Sequence, residues 1–251
     1  MSIGLYWCKE KNLRGENFGD ALSRIIVEMI SEETVEFSDD PGKLVAVGTL
    51  FDRVVNGDIV WGTGAAKMKK RYTFEDVSIY AVRGPLTREV LIQSGIDCPD
   101  VYGDPGILIK DFYNPEVEKE YKIGVIPHYV DYEKIKNMEG VKVIDILSGV
   151  KNVICEIKKC EQIYSSCLHG IIAAEAYGVP TQWIKLGNRI GSPVFKFQDY
   201  YASTARTGNC LNWTQGAKYE MNLEAPMLKD MKEELIDNFP YDIGYAFELG
   251  E

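Results

Sequence analysis

Short apolar runs ending in polar, glycine-bearing turns alternate along this chain with amphipathic stretches. That alternation restricts the fold more than any other feature. Residues 2–7 (SIGLYW), 44–48 (LVAVG), 58–61 (DIVW), 77–82 (VSIYAV), 122–126, 141–146, 162–165 and 181–185 (TQWIK) read as strands, with a further short one from Val101. Between them, residues 21–30 (ALSRIIVEMI) set Leu22, Ile25, Ile26 and Met29 on one helical face. Pro85 opens a helix reaching Ser94, residues 149–159 and 171–177 form two more, and residues 223–238 are charged and helical. Strands alternating with helices predict βα units and parallel sheets, an α/β fold. The polar stretch 111–121, with Pro115, predicts a linker between an N-terminal α/β domain (1–115) and a C-terminal one (120–251). Ligands of open α/β sheets bind beyond the carboxyl ends of the strands. The polar turns sit at those ends, so they are expected to face one cleft between the halves.

Composition removes several classes of function. A formal net charge of -10 over 251 residues argues against nucleic acid as a partner but leaves room for a local pocket that takes an anionic small molecule. No apolar run reaches the length of a membrane span, and the first residues do not read as a signal peptide, so an integral membrane segment is not expected. The six cysteines form no C-x-x-C pair and read as reduced cytosolic thiols. Two distant histidines and scattered carboxylates give no metal ligand set. Neither a G-x-G-x-x-G fingerprint nor a Walker A motif is present; Trp61-Gly62-Thr63-Gly64 is not one.

The candidate site residues lie in the turns. Arg83, at a strand end just before a helix, is placed to fork a carboxylate or phosphate, or else to make an ordinary ion pair. The run Ser165-Ser166-Cys167-Leu168-His169-Gly170 offers hydroxyls, backbone N–H groups and an imidazole at a helix start. His169 is an acid–base candidate; the alternative is a structural helix cap. Cys167 as a nucleophile lacks any local hydrolase signature and reads better as a small wall residue. His128 follows another strand, with Asp131 able to orient it. Asp104 in Gly103-Asp104-Pro105-Gly106 reads first as a loop cap. Asp20, after Asn17-Phe18-Gly19, either accepts a substrate proton or caps its helix. Lys185 and Arg189 after the last strand suit an anion but are weak alone. Tyr6, Trp7 and Trp61 read as core rather than as sugar platforms, and Tyr200 and Tyr201 are open to either.

The ordered set NFGDAL, WGTG, AVRGPLTREVL, GDPGIL, IGVIPHYVD and SSCLHGIIAAEAYGVP resembles the polysaccharide pyruvyl transferase family over residues 3–200. The short length and the segment FKFQDYYAS are similar to bacterial exopolysaccharide ketal-pyruvate transferases. The resemblance implies two Rossmann-like domains facing a cleft in a GT-B-like arrangement, the N-terminal one on the acceptor side. It implies transfer of a pyruvyl group from phosphoenolpyruvate to two hydroxyls of one sugar, forming a cyclic ketal and releasing phosphate. No metal, nucleotide or other cofactor is implied. The acceptor is a polysaccharide or its lipid-linked precursor, which sets the work in the cytoplasm at the inner membrane face.

By the same resemblance, Arg83 binds the donor and His169 is the general acid. Arg189 holds the donor phosphate or carboxylate, with Lys185 as fallback. Many relatives carry arginine immediately before the L-H pair, where this chain has Cys167. Either Ser165, Ser166 and Gly170 then contribute hydroxyls and N–H groups to the donor instead, or donor affinity is lower, or the donor differs. Asp20 is the expected base, with His128 competing. Asn17, His128 and Asp104 are the expected acceptor contacts. Two other readings stand beside this one: a nucleotide-sugar glycosyltransferase of GT-B type, and a non-catalytic sugar-binding assembly protein.

Overall fold

The computed structural model describes residues 2–9, 13–68, 70–186, 194–213 and 226–244. The first half contains β1 (Ser2–Tyr6), α1 (Phe18–Ser31), β2 (Thr34–Phe37), β3 (Leu44–Val45), β4 (Ile59–Trp61), β5 (Ser78–Ala81), α2 (Pro85–Gln93) and α3 (Ile109–Phe112). The second contains β6 (Tyr121–Ile126), α4 (Tyr129–Ile135), β7 (Lys142–Val143), α5 (Val150–Lys158), β8 (Cys160–Ser165), α6 (Leu168–Ala176), β9 (Thr181–Lys185), α7 (Val194–Ser203), β10 (Leu211–Asn212) and α8 (Lys229–Asp237). Each half builds one five-stranded sheet in which every pairing is parallel. The α/β class and its parallel sheets are therefore as expected.

The two sheets have the same strand order. The first runs β2-β1-β3-β4-β5 and the second β7-β6-β8-β9-β10. In such an order the chain departs to opposite sides at the boundary between the first and third strands of the sheet, and that boundary opens a crevice at the strand carboxyl ends. One crevice lies at β1/β3 and the other at β6/β8. The strand expected over 141–146 is only two residues long in the sheet. Its continuation turns toward α1, where the Phe18 N–H donates to the Ile146 carbonyl at 3.1 Å. β2, β10, α3, α4 and α7 are additional to the expected elements.

The halves share a core. Phe18, Leu22 and Ile26 of α1, Ile107 and Leu108 of the 3-10 turn Pro105–Leu108, Val153 and Ile154 of α5, and Ile171 and Ile172 of α6 are buried in one continuous cluster between the sheets. Each such aliphatic side chain contributes roughly 1.5–3 kcal/mol when fully buried. The C-terminal helices then return to the first half. The Trp61 indole N–H donates to the Leu235 carbonyl of α8 at 2.9 Å, and Lys232 pairs with Asp111 at 2.8 Å. α7 lies against α2. Among the described residues, no helix is long and apolar enough to cross a membrane.

Candidate active site

The two crevices meet, and His169 stands at the junction. α1 begins at Asn17, whose side-chain oxygen accepts the Gly19 N–H at 3.0 Å. Asn17, and not Asp20, is thus the cap; Asp20 lies one residue on from Gly19, in the first turn. Gly19 leaves its Cα bare, and the His169 ring of α6 rests on it. A Cβ at Gly19 would run into the imidazole Nδ1, far inside contact distance. Gly48, in the left-handed region at φ 111° just beyond β3, closes the next side, with the imidazole Cε1 3.8 Å from where its Cβ would be. The ring is 16% exposed.

Asp104 forms the floor. It is fully buried and caps the turn that follows it, its Oδ1 accepting the Gly106 N–H at 2.9 Å. The expected loop-cap role is therefore present. Its other oxygen accepts the Gly48 N–H at 3.4 Å and lies 3.6 Å from His169 Nε2, too far for a hydrogen bond. Nε2 is buried without a hydrogen-bond partner among the described residues. An unsatisfied imidazole nitrogen facing a buried carboxylate is an arrangement that needs a reason.

The turn before His169 is organised by its own side chains. The Ser165 hydroxyl is buried and lies 3.0 Å from the Ile126 carbonyl and 2.7 Å from the Cys167 carbonyl, while accepting the Cys167 N–H at 3.0 Å. The Ser166 hydroxyl accepts the His128 N–H at 3.0 Å, tying the ends of β6 and β8 together. Gly170 faces inward, where a Cβ would meet Ser165 Oγ at 2.7 Å. These residues shape the turn and present His169.

Cys167 stands at the N-cap position of α6. Its side chain makes no cap hydrogen bond; burial pushes the thiol up from its ordinary value, with the nearby Asp20 carboxylate adding to the rise. It is a wall residue, not a thiolate nucleophile.

Arg83 is brought to the same region with its fork closed. It is fully buried. Nε lies 3.0 Å and Nη2 2.9 Å from the Asp199 carboxylate of α7; Nη2 also donates to the Ala65 carbonyl at 3.0 Å, and Nη1 to Thr49 Oγ1 at 2.7 Å. Its guanidinium stacks on the bare Cα of Gly64, which explains that glycine of the WGTG segment. Asp199 also accepts the Thr87 N–H at 2.9 Å and so caps α2 from another part of the chain.

The other expected residues are spread more widely. His128 sits at the end of β6, half-buried, against the Tyr129 ring. Asp131 pairs with Lys134 at 2.6 Å, and its N–H donates to the His128 carbonyl at 2.8 Å. Lys185 is exposed at the end of β9, with Cys210 as its electrostatic neighbour. Arg189 lies outside the described residues. Tyr6, Trp7 and Trp61 are buried, in keeping with core roles. Tyr200 and Tyr201 are buried as well, Tyr200 donating to Glu175 at 2.8 Å. Among the described residues, no group of three His, Cys, Asp or Glu side chains is placed to hold a metal ion.

Sequence reasoning missed Asp199 and the helix that carries it. The spacing Phe197, Tyr200, Tyr201 is a short helical apolar pattern that would have found α7. Gly19 lies within a motif that was noticed, yet nothing local says that a ring lies on it.

Two parallel five-stranded sheets of like strand order define a Rossmann-like α/β protein, in which the His169 ring rests against Gly19 and Gly48 of the first half. The family model for polysaccharide pyruvyl transferase matches residues 17–186, and the chain belongs to that family. The chain is 29% identical over 203 residues to the uncharacterized protein L143 of Acanthamoeba polyphaga mimivirus, covering 73% of this chain and 69% of that one. It is 29% identical over 205 residues to the succinoglycan biosynthesis protein ExoV of Rhizobium meliloti, covering 73% of this chain and 60% of that protein. No solved structure is matched at a significant level.

Proposed function

We propose that the chain transfers the pyruvyl group of phosphoenolpyruvate to two hydroxyls of one sugar, in a cell-surface polysaccharide or its lipid-linked precursor, closing a cyclic ketal and releasing phosphate. Family membership and the likeness to a succinoglycan biosynthesis protein support the reaction class. The observation that carries the site is the seating of His169 on Gly19, facing the buried Asp104 carboxylate where both crevices meet. The shared strand order and the C-terminal helices that return to the first half support a GT-B-like arrangement.

In this reading His169 gives a proton to the methylene carbon of the donor, and C2 becomes an oxocarbenium-like centre. Asp104 offsets the charge of the protonated ring. A sugar hydroxyl adds to C2 while Asp20 takes its proton. The C2–O bond to phosphate breaks with its electron pair on the phosphate, which takes the proton from Asp20. The second hydroxyl closes on C2, and its proton restores His169. Arg83 acts here as a positioning residue, since Asp199 and Thr49 already fill its fork. Arg189 remains a proposed second contact of the donor and His128 an acceptor-side contact. Neither metal nor nucleotide takes part. The work falls in the cytoplasm, at the inner membrane face when the acceptor is lipid-linked.

Phosphate release from phosphoenolpyruvate in the presence of oligosaccharide acceptors tests the reading. His169→Ala and His169→Gln are expected to lose about 10²- to 10⁴-fold of the rate. Full transfer by both variants would remove His169 from the chemistry. Stabilisation by UDP- or GDP-sugars and not by phosphoenolpyruvate would make the protein a glycosyltransferase. Phosphoenolpyruvate binding without turnover would make it a binding subunit.

A further inference from the structure

The segment between β4 and β5 concentrates positive charge in a chain whose formal net charge is -10: residues 67–71 read KMKKR. It leaves the carboxyl end of β4, where the Gly64 N–H donates to the Gly48 carbonyl at 2.9 Å and the Ala65 carbonyl accepts from Arg83 at 3.0 Å. The segment therefore springs from the turns beside which the His169 ring is seated. Its far end is anchored. Tyr72 is buried, with its ring centre 5.1 Å from that of Phe51 and 5.5 Å from that of Phe74. The Tyr72 hydroxyl donates to Asp52 at 2.7 Å, and its N–H donates to Ser94 Oγ at the end of α2 at 3.2 Å. Lys70 pairs with the same Asp52 at 2.7 Å.

That anchoring accounts for Lys70 and not for its neighbours. Lys67 and Arg71 are exposed and form no ion pair among the described residues. Met68, between them in the chain, is 47% exposed. A single exposed methionine is ordinary; one set among unpaired cations on an anchored loop has the composition of a surface for anionic lipid. The acidic groups that bound the patch are Asp52, already used by Lys70 and Tyr72, and Glu75 and Asp76 beyond the Tyr72–Phe74 stack. The overall negative charge does not cancel the patch at contact, because at physiological salt a charge is felt over only about 8 Å. Nucleic acid fits less well: the rings here stack on each other with Tyr72 buried, and neither is laid open to a base.

We infer that Lys67, Met68, Lys70 and Arg71 dock the protein on an anionic lipid bilayer, the cations meeting headgroup phosphates and Met68 entering the interface. The loop is continuous with the turn that bears Gly64, so docking brings that rim of the first half to the surface in which a lipid-linked acceptor would be held. The role for the acceptor rests on the function proposed above; the docking itself does not.

The test is sedimentation of the full chain with vesicles of phosphatidylglycerol and phosphatidylcholine, and with vesicles of phosphatidylcholine alone. The variants are Lys67→Gln/Arg71→Gln and Met68→Ser; Lys70 stays, because Asp52 uses it. Each unpaired cation is expected to supply about fivefold of the partitioning, so the double variant should bind anionic vesicles about 30-fold more weakly. Met68→Ser should also bind more weakly. Salt at about 1 M, where the Debye length is about 3 Å, should release the wild type. Equal binding to both kinds of vesicle, binding to neither, or unchanged binding in either variant overturns the proposal. Capture by single-stranded DNA and not by vesicles, lost in the double variant, would make the patch a nucleic-acid contact and overturn the lipid assignment. All altered positions are exposed, so both variants should melt as the wild type does. Should the double variant not fold, Lys67→Gln replaces it, with about fivefold weaker binding expected. Transfer to a water-soluble acceptor should be the same in wild type and double variant, and transfer to an acceptor held in anionic vesicles should fall with binding. Vesicle binding without transfer to any acceptor would refute the pyruvyl transfer and keep the surface. Transfer to a membrane-held acceptor that is indifferent to the double variant would do the reverse.

Discussion

Arg83→Met separates two roles for the arginine that the sequence marks most clearly. A donor clamp predicts a free protein of unchanged stability that has lost affinity for its ligand. The observed contacts predict a free protein that is itself damaged. Removing the guanidinium leaves the Asp199 carboxylate, fully buried, with Thr87 as its remaining partner: the N–H at 2.9 Å and the hydroxyl at 2.6 Å. It also strips a donor from the Ala65 carbonyl at 3.0 Å and from Thr49 Oγ1 at 2.7 Å. Breaking a buried ion pair by deleting one partner costs about 3–5 kcal/mol. Against a typical total of about 5–15 kcal/mol this is a large share. For a chain of this size it corresponds to a fall in Tm of roughly 6–20 °C.

Calorimetry and urea unfolding without ligand provide the readout, with the urea slope checked for constancy. The double variant Arg83→Met with Asp199→Leu should recover most of the loss, because an apolar pair of similar volume is often neutral in place of a buried ion pair. What stays lost is the cap at Thr87, about 1 kcal/mol. A destabilisation below about 1 kcal/mol, the range of an exposed pair, would refute the reasoning and restore the clamp.

Two further outcomes follow from the same geometry. Gly19→Ala would by helix propensity alone stabilise α1 by about 0.5–1 kcal/mol; here the new methyl displaces His169, and if His169 is the acid proposed above, a shift of about 1 Å is expected to lower turnover by about 10²-fold. Full activity with a raised Tm would show that the ring does not rest on Gly19. The thiols of Cys98 and Cys160 are both pushed up by burial, to about 12 from 9.0. The folded state therefore holds their protons more tightly than the unfolded one, so their contribution is complete below pH 9 and is lost between about pH 9 and 12, at about 1.4 kcal/mol per pH unit per thiol. Urea midpoints at pH 8 and pH 10 should converge in Cys98→Ala/Cys160→Ala relative to wild type, and an unchanged pH slope would contradict this.

The architecture was largely legible because burial on both faces of a parallel strand leaves an unmistakable apolar run. LVAVG and DIVW lie on β3 and β4, and Pro85 opens α2; VSIYAV lies on β5, an edge strand that buries only Ala81. Short or edge elements were less visible. β2 buries only Val35, so its pattern is that of a loop. In the site, His169 and Asp104 could be singled out because both occupy turns at strand ends, but their mutual approach to 3.6 Å could not. Ser165 illustrates the opposite error of expectation. A hydroxyl in a polar turn looks available, yet the turn's own carbonyls and N–H groups use it.

The sequence by itself determined the α/β class, the strand-end location of the polar turns and the family. Each of these is written in residues close together along the chain, through periodicity and motif order. Only the tertiary structure decided that the two sheets repeat one strand order, that Arg83 is closed by an aspartate 116 positions away, and that the His169 ring rests on Gly19. Those facts concern which distant groups share a low-dielectric space. Whether an arginine is a clamp or a bolt depends on the charges packed around it.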